Sequence, residues 1–272
     1  MTATVADDGE GRDRSQRWST LLHLLAERGR LSVSEVAAEL GVSEATVRRD
    51  FTQLARQQLV SRTHGGVVAT AVAYDLPARY RSAESDSAKE RIASAAANLV
   101  KPGTVVGFNG GTTTSATARR LAARTDIAAA SGRPALTVVT NALNIACEMV
   151  LRPHIRTVTL GGVARPQSYE LTGPLATLVL EELWLDLLVL GVDGVSAAGG
   201  ATCVHEGEAG VNALMVRRAN AVVVVATGDK LGRRTFARIC DAHQVSMVVT
   251  DPTAPTAEVE ALRAAGAEVR VV

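Results

Sequence analysis

Apolar residues recur with a helical period at the start of this chain and with a mixed period further on. Trp18, Leu21, Leu22 and Leu25 fall three and four apart and predict a helix between Ser15 and Arg28. Val36, Ala37 and Leu40 form the stripe of a second, shorter helix. Ser32 is placed to cap it, with Glu35 three positions on as the other half of a capping box. Gly41 supplies a tight turn and Ser43 the cap of a third helix. In that helix Val47, Phe51 and Leu54 stand at i, i+4 and i+7 and must face a core. At about 100° per residue, Ala45, Arg49 and Arg56 then point the opposite way, with Thr46, Arg48 and Gln53 on the flanks. Leu59–Arg62 and Val67-Val68, joined through Thr63-His64-Gly65-Gly66, read as a small hairpin. Helices, turn and hairpin in this order predict a winged helix-turn-helix over 15–69. Its third helix would offer its polar side to a DNA major groove, and Arg62 and His64 on the wing would reach phosphate or the minor groove.

The stretch 70–87 carries Pro77 and no clear period, and reads as a linker with a short helix near Leu76–Tyr80. From Ala88 onward short Val-rich runs alternate with helical segments. The expected strands are Thr104–Phe108, Leu136–Thr140, Arg156–Leu160, Leu187–Gly191, Ala221–Ala226, Ser246–Thr250 and Glu268–Val271. Between them lie Lys89–Val100, Thr114–Arg124, Ala142–Leu151, Leu175–Leu183, Glu208–Arg218 and Ala257–Ala265 as helices. That alternation predicts an α/β domain over 88–272, a doubly wound and mostly parallel sheet covered on both faces. Residues 1–14 are polar, of mixed charge and without an apolar run, and are expected to be a disordered tail rather than a signal peptide.

Composition narrows the function. Aromatic residues are only 3% of the chain against 47% apolar, so the core is built from Ala, Val and Leu, and a base-stacking single-strand binder is excluded. The net charge of +1 hides a local strip. Between Ala45 and Val68, Arg48, Arg49, Arg56, Arg62 and His64 stand against Asp50 alone, which is a modest DNA footprint. Three scattered cysteines, Cys147, Cys203 and Cys240, imply no disulfide framework and fit a reducing cytoplasm. Cys203-Val204-His205 has no second ligand pair at metal spacing, so neither a metal nor a cofactor is expected. No apolar run reaches transmembrane length, so no membrane partner is expected.

In a parallel sheet, ligands gather beyond the carboxyl ends of the strands. Asn109-Gly110-Gly111-Thr112-Thr113-Thr114 lies there, between an expected strand and a helix. Its glycines free the backbone N–H groups and its threonines add hydroxyls at a helix N-terminus, an arrangement suited to phosphate or carboxylate. It lacks the Gly-Lys-Ser/Thr ending of a Walker loop and is not GxGxxG. Thr140-Asn141, Gly161-Gly162, Gly191-Val192-Asp193-Gly194 and Gly228-Asp229-Lys230 end other expected strands, and together they suggest a shared polar pocket. No nucleophile elbow or ordered Ser-His-Asp set is visible. His205 with Glu206 and Glu208 offers a general-base cluster or, more simply, a solvated loop leading into a helix.

These pieces resemble the DeoR family of bacterial transcription regulators. In the first domain the resemblance rests on Leu40-Gly41-Val42-Ser43, Thr46-Val47-Arg48-Arg49-Asp50 and Arg62-Thr63-His64-Gly65-Gly66. In the second it rests on Gly111-Thr112-Thr113-Thr114, Val139-Thr140-Asn141, Leu160-Gly161-Gly162, Thr172-Gly173 and Asp229-Lys230. The resemblance implies a repressor of a sugar or nucleoside catabolic operon, whose sensor is akin to ribose-5-phosphate isomerase and binds a phosphorylated sugar or related metabolite. It also implies that Asp193 matches one catalytic aspartate of the isomerase and Glu208 its glutamate. Leu190 replaces the other aspartate and Ala198 the lysine, so the site is expected to bind without turnover. The family usually has Asp-Ser-Gly where this chain has Asn109-Gly110-Gly111, and an amide donates where a carboxylate only accepts.

The reading is therefore a cytoplasmic, non-enzymatic regulator of double-stranded operator DNA. Ser43, Ala45, Thr46, Arg48, Arg49, Gln53, Arg62 and His64 are expected on the DNA. Asn109, Gly110, Gly111, Thr112, Thr113, Asn141, Gly161, Gly162, Asp193, Glu208 and Lys230 are expected around the effector. One recognition helix reads one half-site, so a homodimer or homotetramer is expected. The alternatives are an active sugar-phosphate isomerase fused to a DNA-binding domain and a protein-interaction adaptor whose winged helix binds no DNA.

Overall fold

A computed structural model describes residues 17–18, 20–22, 24–25, 28, 30–56, 60–63, 65–69, 83–128 and 134–272. The expected tail over 1–14, the helix near Leu76–Tyr80 and the wing residue His64 lie outside the described residues, as does the side chain of Arg56. The chain divides into two compact units, Met1–Ser85 and Asp86–Val272.

In the first unit, Trp18, Leu21, Leu22, Leu24 and Leu25 are helical and buried. They are followed by β1 (Arg30–Ser32), α1 (Val33–Leu40), α2 (Glu44–Arg56), β2 (Val60–Thr63) and β3 (Gly66–Ala69). The expected capping box is present: Ser32 Oγ accepts from the Glu35 N–H, and the Glu35 carboxylate accepts from the Ser32 N–H. Gly41 ends α1 at φ +64°, in the left-handed region that favours glycine. Ser43 Oγ accepts from the Thr46 N–H at 3.2 Å and starts α2. Val47, Phe51 and Leu54 are fully buried in one cluster with the first helix, as their spacing requires.

The hairpin β2–β3 pairs antiparallel from Val60↔Ala69 to Thr63↔Gly66. A third strand was not expected: β1 adds to β3, giving the order β1-β3-β2. Gly66 permits it, because a Cβ there would lie 2.1 Å from the Leu31 carbonyl oxygen.

Helix α3 (Ala83–Ala97) begins inside the stretch read as linker, three residues before the second unit, and runs on into that unit. Then come β4 (Val105–Phe108), α4 (Thr112–Ala122), the short α5 (Thr125–Ala128), β5 (Leu136–Thr140), α6 (Leu143–Met149) and β6 (Ile155–Thr159). A two-stranded hairpin, β7 (Val163–Ala164) and β8 (Leu171–Thr172), leads into α7 (Pro174–Glu181) and β9 (Leu187–Gly191). The chain continues through β10 (Gly194–Ser196), β11 (Gly200–Cys203), α8 (Glu206–Arg217), β12 (Val222–Val225), β13 (Ala237–Cys240), β14 (Met247–Thr250), α9 (Thr256–Ala264) and β15 (Glu268–Val271).

The seven strands expected from the sequence form one all-parallel sheet in the order β15-β14-β12-β9-β4-β5-β6. Alternate strand residues feed two cores. Val139, Leu188, Leu190, Val222, Val224 and Val248 pack with α7, α8 and α9, whereas Val138, Val106, Phe108, Val189, Val223, Val225 and Val249 pack with α3, α4 and α6. Such near-continuous apolar runs are what a parallel sheet buried on both faces demands. The sequence reading missed a second, antiparallel sheet, β10-β11-β13, which lays Val195, Ala201, Cys203 and Ile239 on the first of these cores.

Strand order reverses beside β4. The chain moves from β4 to β5 and β6 on one side, then returns to β9 on the other. A crevice at the carboxyl ends of β4 and β9 is where a doubly wound sheet takes a ligand.

Candidate functional site

On α2, burial of Val47, Phe51 and Leu54 leaves Glu44, Ala45, Arg48, Arg49 and Gln53 exposed, with Thr46 half-buried. Arg48 Nη2 donates to Glu44 Oε2 at 2.8 Å along the helix. Arg49 has no ion pair among the described residues. Ser43 serves the helix: besides its cap, its hydroxyl lies 2.9 Å from that of Thr46. Arg62 reaches from the wing, its Nη1 donating to Thr52 Oγ1 at 2.5 Å, while Thr52 Oγ1 donates to the Arg48 carbonyl at 2.7 Å. The wing is thereby braced against the helix at the turn that carries the arginines.

Asp50, the acidic residue counted against the arginines of the local charge strip, does not share their exposed face. It is 3% exposed. Its carboxylate accepts from Arg17 Nε at 2.6 Å, Arg17 Nη2 at 3.2 Å and Trp18 Nε1 at 2.7 Å. The signal was in the spacing: Asp50 is i+3 from Val47 and i−4 from Leu54, on the buried side of the helix.

In the second unit the loop after β4 stands at the strand reversal. Asn109 is buried, and its amide pairs with one residue in both directions: Nδ2 donates to the Gly191 carbonyl at 3.0 Å, and Oδ1 accepts from the Gly191 N–H at 2.7 Å. It continues the β4–β9 ladder with a side chain. An ionised carboxylate cannot do this, which gives a physical reason for Asn where the family has Asp. Gly191 fits because a Cβ there would meet the Gly110 carbonyl oxygen at 3.0 Å and Thr114 Cγ2 at 3.1 Å.

Helix α4 begins at Gly111, φ +131°, with no side-chain cap and no acidic residue in its first turn. The hydroxyls of Thr114 and Ser115 turn back to the Gly111 carbonyl at 2.9 and 2.7 Å. Those of half-buried Thr112 and buried Thr113 have no partner among the described residues. A helix start with its N–H groups unsatisfied and two hydroxyls beside it is a ready anion site.

The residue behind this loop was missed in the sequence. Glu170, 3% exposed, accepts from the Gly110 N–H at 2.7 Å through Oε1. Its Oε2 accepts from Asn141 Nδ2 at 3.2 Å and Asn212 Nδ2 at 3.4 Å. Burial first, and then the nearby Glu208 charge, push its carboxyl up to about 8, against the pull of those three hydrogen bonds. The Oδ1 atoms of Asn141 and Asn212 are buried without a partner. A protonated Glu170 would satisfy one of them as donor once that amide is turned over. Gly110 must be glycine here, since a Cβ would lie 2.5 Å from Glu170 Cγ. The link spans 60 residues and leaves no local pattern. On α8, though, the i, i+4 spacing of Glu208 and Asn212 marks them as one face.

The other expected residues have mostly structural partners. Glu208 Oε1 accepts from Arg165 Nη1 at 3.0 Å and from Ser168 Oγ at 2.5 Å. Asp193 Oδ2 accepts from the Val204 N–H at 3.0 Å, closing the β10–β11 hairpin. Lys230 Nζ donates to the Val192 carbonyl at 2.5 Å, just past the end of β9. Gly161 and Gly162 are a close passage: a Cβ would lie 3.2 Å from the Leu175 carbonyl oxygen and 2.5 Å from that of Thr172, respectively. The loop after β4 is thus joined directly to Glu170, through Glu170 to Asn141 and Asn212, and through the end of β9 to Lys230. Asp193 is bonded elsewhere, and the glycine pair passes close to the Leu175 and Thr172 backbone.

The His205–Glu206–Glu208 cluster disperses. His205 Nδ1 caps α8 by accepting from the Gly207 N–H at 3.2 Å, and Glu206 is exposed. Burial pushes the Cys203 thiol up to about 12, which makes it a poor metal ligand. No group of three potential ligands gathers among the described residues.

Residues 17–71 match the DeoR-like helix-turn-helix domain, and residues 84–252 match the DeoR C-terminal sensor domain. The chain is 30% identical over 256 residues to the HTH-type transcriptional regulator GlpR of Haloferax volcanii, covering 94% of this chain and 96% of that protein. It is 26% identical over 249 residues to the glycerol-3-phosphate regulon repressor of Escherichia coli K12, covering 92% and 95%. Among solved structures, a ribose 5-phosphate isomerase A from Methanocaldococcus jannaschii is 20% identical, covers 53% of this chain and 54% of its own, and has a TM-score of 0.38.

Proposed function

The chain belongs to the DeoR family of helix-turn-helix transcription regulators, and from that premise we propose that it represses a carbohydrate or related catabolic operon under control of a phosphorylated metabolite. The observation that carries the output half is the exposed Arg48–Arg49–Gln53 side of α2, set opposite a fully buried stripe and braced by Arg62 of the wing. Such a face offers a bidentate base reader and several phosphate contacts. The input half rests on the uncapped first turn of α4 at the strand reversal, with the Thr112 and Thr113 hydroxyls and the Lys230 ammonium as charge and hydrogen-bond donors for a phosphate. A name such as glycerol-3-phosphate regulon repressor among the relatives supports an effector of that class. Two copies read two half-sites, as a cytoplasmic homodimer or homotetramer.

The effector acts by population shift: it binds more tightly to the conformers that dock poorly on operator, and affinity falls by that differential. Turnover is not part of the proposal. Glu208 is engaged by Arg165 and Ser168, Asp193 by a backbone N–H, and Leu190 and Ala198 stand where the isomerase resemblance would need an aspartate and a lysine.

The test is fluorescence anisotropy on promoter DNA taken from upstream of the chain's own gene, with sugar and polyol phosphates added in turn. Arg49→Ala should weaken specific binding roughly 10- to 100-fold, with the sensor still folded by calorimetry. Thr112→Val with Lys230→Ala should keep the DNA affinity and lose the response to the effector. Parental affinity in the first variant would remove the recognition face, and an unchanged response in the second would remove the anion site.

A further inference from the structure

Helix α7 carries two apolar sides. Ala176 and Leu180 are buried in the sensor core, as one stripe of a surface helix should be. On another side Leu175, Leu178 and Val179, at i, i+3 and i+4, are 61%, 60% and 39% exposed. Trp184 beyond the helix is 66% exposed, and Val163, on the hairpin that leads into the helix, is 72% exposed. Together these side chains offer on the order of 500 Å² of apolar surface, most of the ~800 Å² per partner that a stable association buries.

We propose that this face of α7 joins two copies of the chain across a two-fold axis, with the two α7 helices running antiparallel. The proposal rests on the two-copy reading given above and locates its contact. Charge selects a second copy as the occupant. Helix α7 starts at Gly173, φ +91°, with no side-chain cap and no acidic residue in its first turn. It ends in exposed Glu181 and Glu182, neither in an ion pair among the described residues, with no basic residue in its last turn. This is the reverse of what the helix dipole favours within one chain. An eight-residue helix is about 12 Å long. An antiparallel copy therefore sets each pair of carboxylates against the electropositive start of the other helix, while Leu175, Leu178 and Val179 close on their own equivalents. A surface that is apolar along its middle, negative at one end and positive at the other is complementary to itself under a two-fold rotation. Trp184, with Arg218 5.0 Å over its ring, supplies the aromatic and arginine anchor typical of such contacts.

The experiment is sedimentation velocity on the full chain at micromolar concentration. The parent should run as two copies or a multiple of two. Leu178→Glu should weaken association at least a hundredfold with an unchanged circular dichroism spectrum, whereas Leu151→Glu, at an exposed apolar residue after α6, should leave it unchanged. In a Cys147→Ser background that removes the exposed native thiol, Leu178→Cys should be cross-linked between copies by a short bismaleimide. A monomeric parent overturns the two-copy reading and this proposal with it. A parent and Leu178→Glu that associate equally, with no cross-link, overturn the α7 contact and leave the two-copy reading standing. Equal loss in Leu178→Glu and Leu151→Glu also overturns it.

Discussion

Along α2, Arg48, Arg49 and Gln53 project from one side of a helix whose other side is buried, and their polar ends are exposed, Arg48 with one nitrogen on Glu44. At the carboxyl ends of β4 and β9 the polar side chains do the opposite. Asn109 pairs with the Gly191 backbone, Glu170 with the Gly110 N–H, Asp193 with the Val204 N–H and Lys230 with the Val192 carbonyl. What stays open there is backbone, the first turn of α4. Under the proposed function, the difference follows from what each surface would bind. A DNA groove is reached by long side chains standing on a rigid helix. A small anion is gripped by N–H groups whose loop has first been fixed, and fixing it consumes the polar residues nearby.

The strongest way to break this contrast is to remove the polar residue on the reading helix that behaves like those of the sensor. Asp50→Ala takes away the acceptor of three hydrogen bonds from Arg17 and Trp18 inside a small module. Loss of one side of such a buried ionic contact costs about 3–5 kcal/mol, comparable to the whole stability of a domain this size. Operator binding should be lost, and hydrogen exchange should show the first unit open while the second stays protected. Operator affinity within twofold of the parent would mean that Asp50 is not structural.

The same contrast explains what could be read in advance. Val47, Phe51 and Leu54, and the Val-rich strands of the large sheet, follow from periodicity, because burial imposes 3.6- and 2-residue patterns wherever an element faces a core. Capping residues such as Ser32 and Ser43 were legible because their partners are three residues away. The sheet β10-β11-β13 was not. Its strands, such as Gly194-Val195-Ser196 and Gly200–Cys203, are short and rich in small residues, and they are held by packing on a core assembled from distant segments. Glu170 was missed for a similar reason, since its partners Gly110, Asn141 and Asn212 meet only in the folded sheet. Polar residues at strand ends suggest a site, but whether a side chain faces a ligand or its own backbone is decided by long-range contacts.

A second, smaller effect sharpens the sensor side. Glu170 is raised from 4.5 in the open chain to about 8 in the fold. Between those values the folded chain keeps a proton that the unfolded chain has lost, so stability falls as pH rises through this window and levels off above it. Glu170→Gln removes the titration. Its carbonyl still accepts from the Gly110 N–H, and its amide can donate to an Oδ1 of Asn141 or Asn212 that otherwise lacks a partner. The variant should gain roughly 2–4 kcal/mol over the parent at pH 8 and little at pH 5. Melting temperatures of both proteins across pH 5–9 read this directly. Parallel profiles would mean that the carboxyl titrates normally.

The smallest of these effects tests whether Asn109 holds backbone or touches the effector. Asn109→Asp keeps the acceptor for the Gly191 N–H and replaces the donor to the Gly191 carbonyl by a second acceptor, inside a site 2% exposed. The loss at pH 7 should be about 2 kcal/mol, and it should shrink toward pH 5, where the new carboxyl, once protonated, donates again in place of the amide. Effector affinity, measured by the ligand-induced rise in melting temperature, should stay within a few-fold of the parent, because the groups assigned to the anion are the N–H groups of α4 rather than this side chain. A stable variant that no longer responds to any sugar phosphate would reverse the assignment: Asn109 would then read the ligand, and the sensor would use its side chains as α2 does.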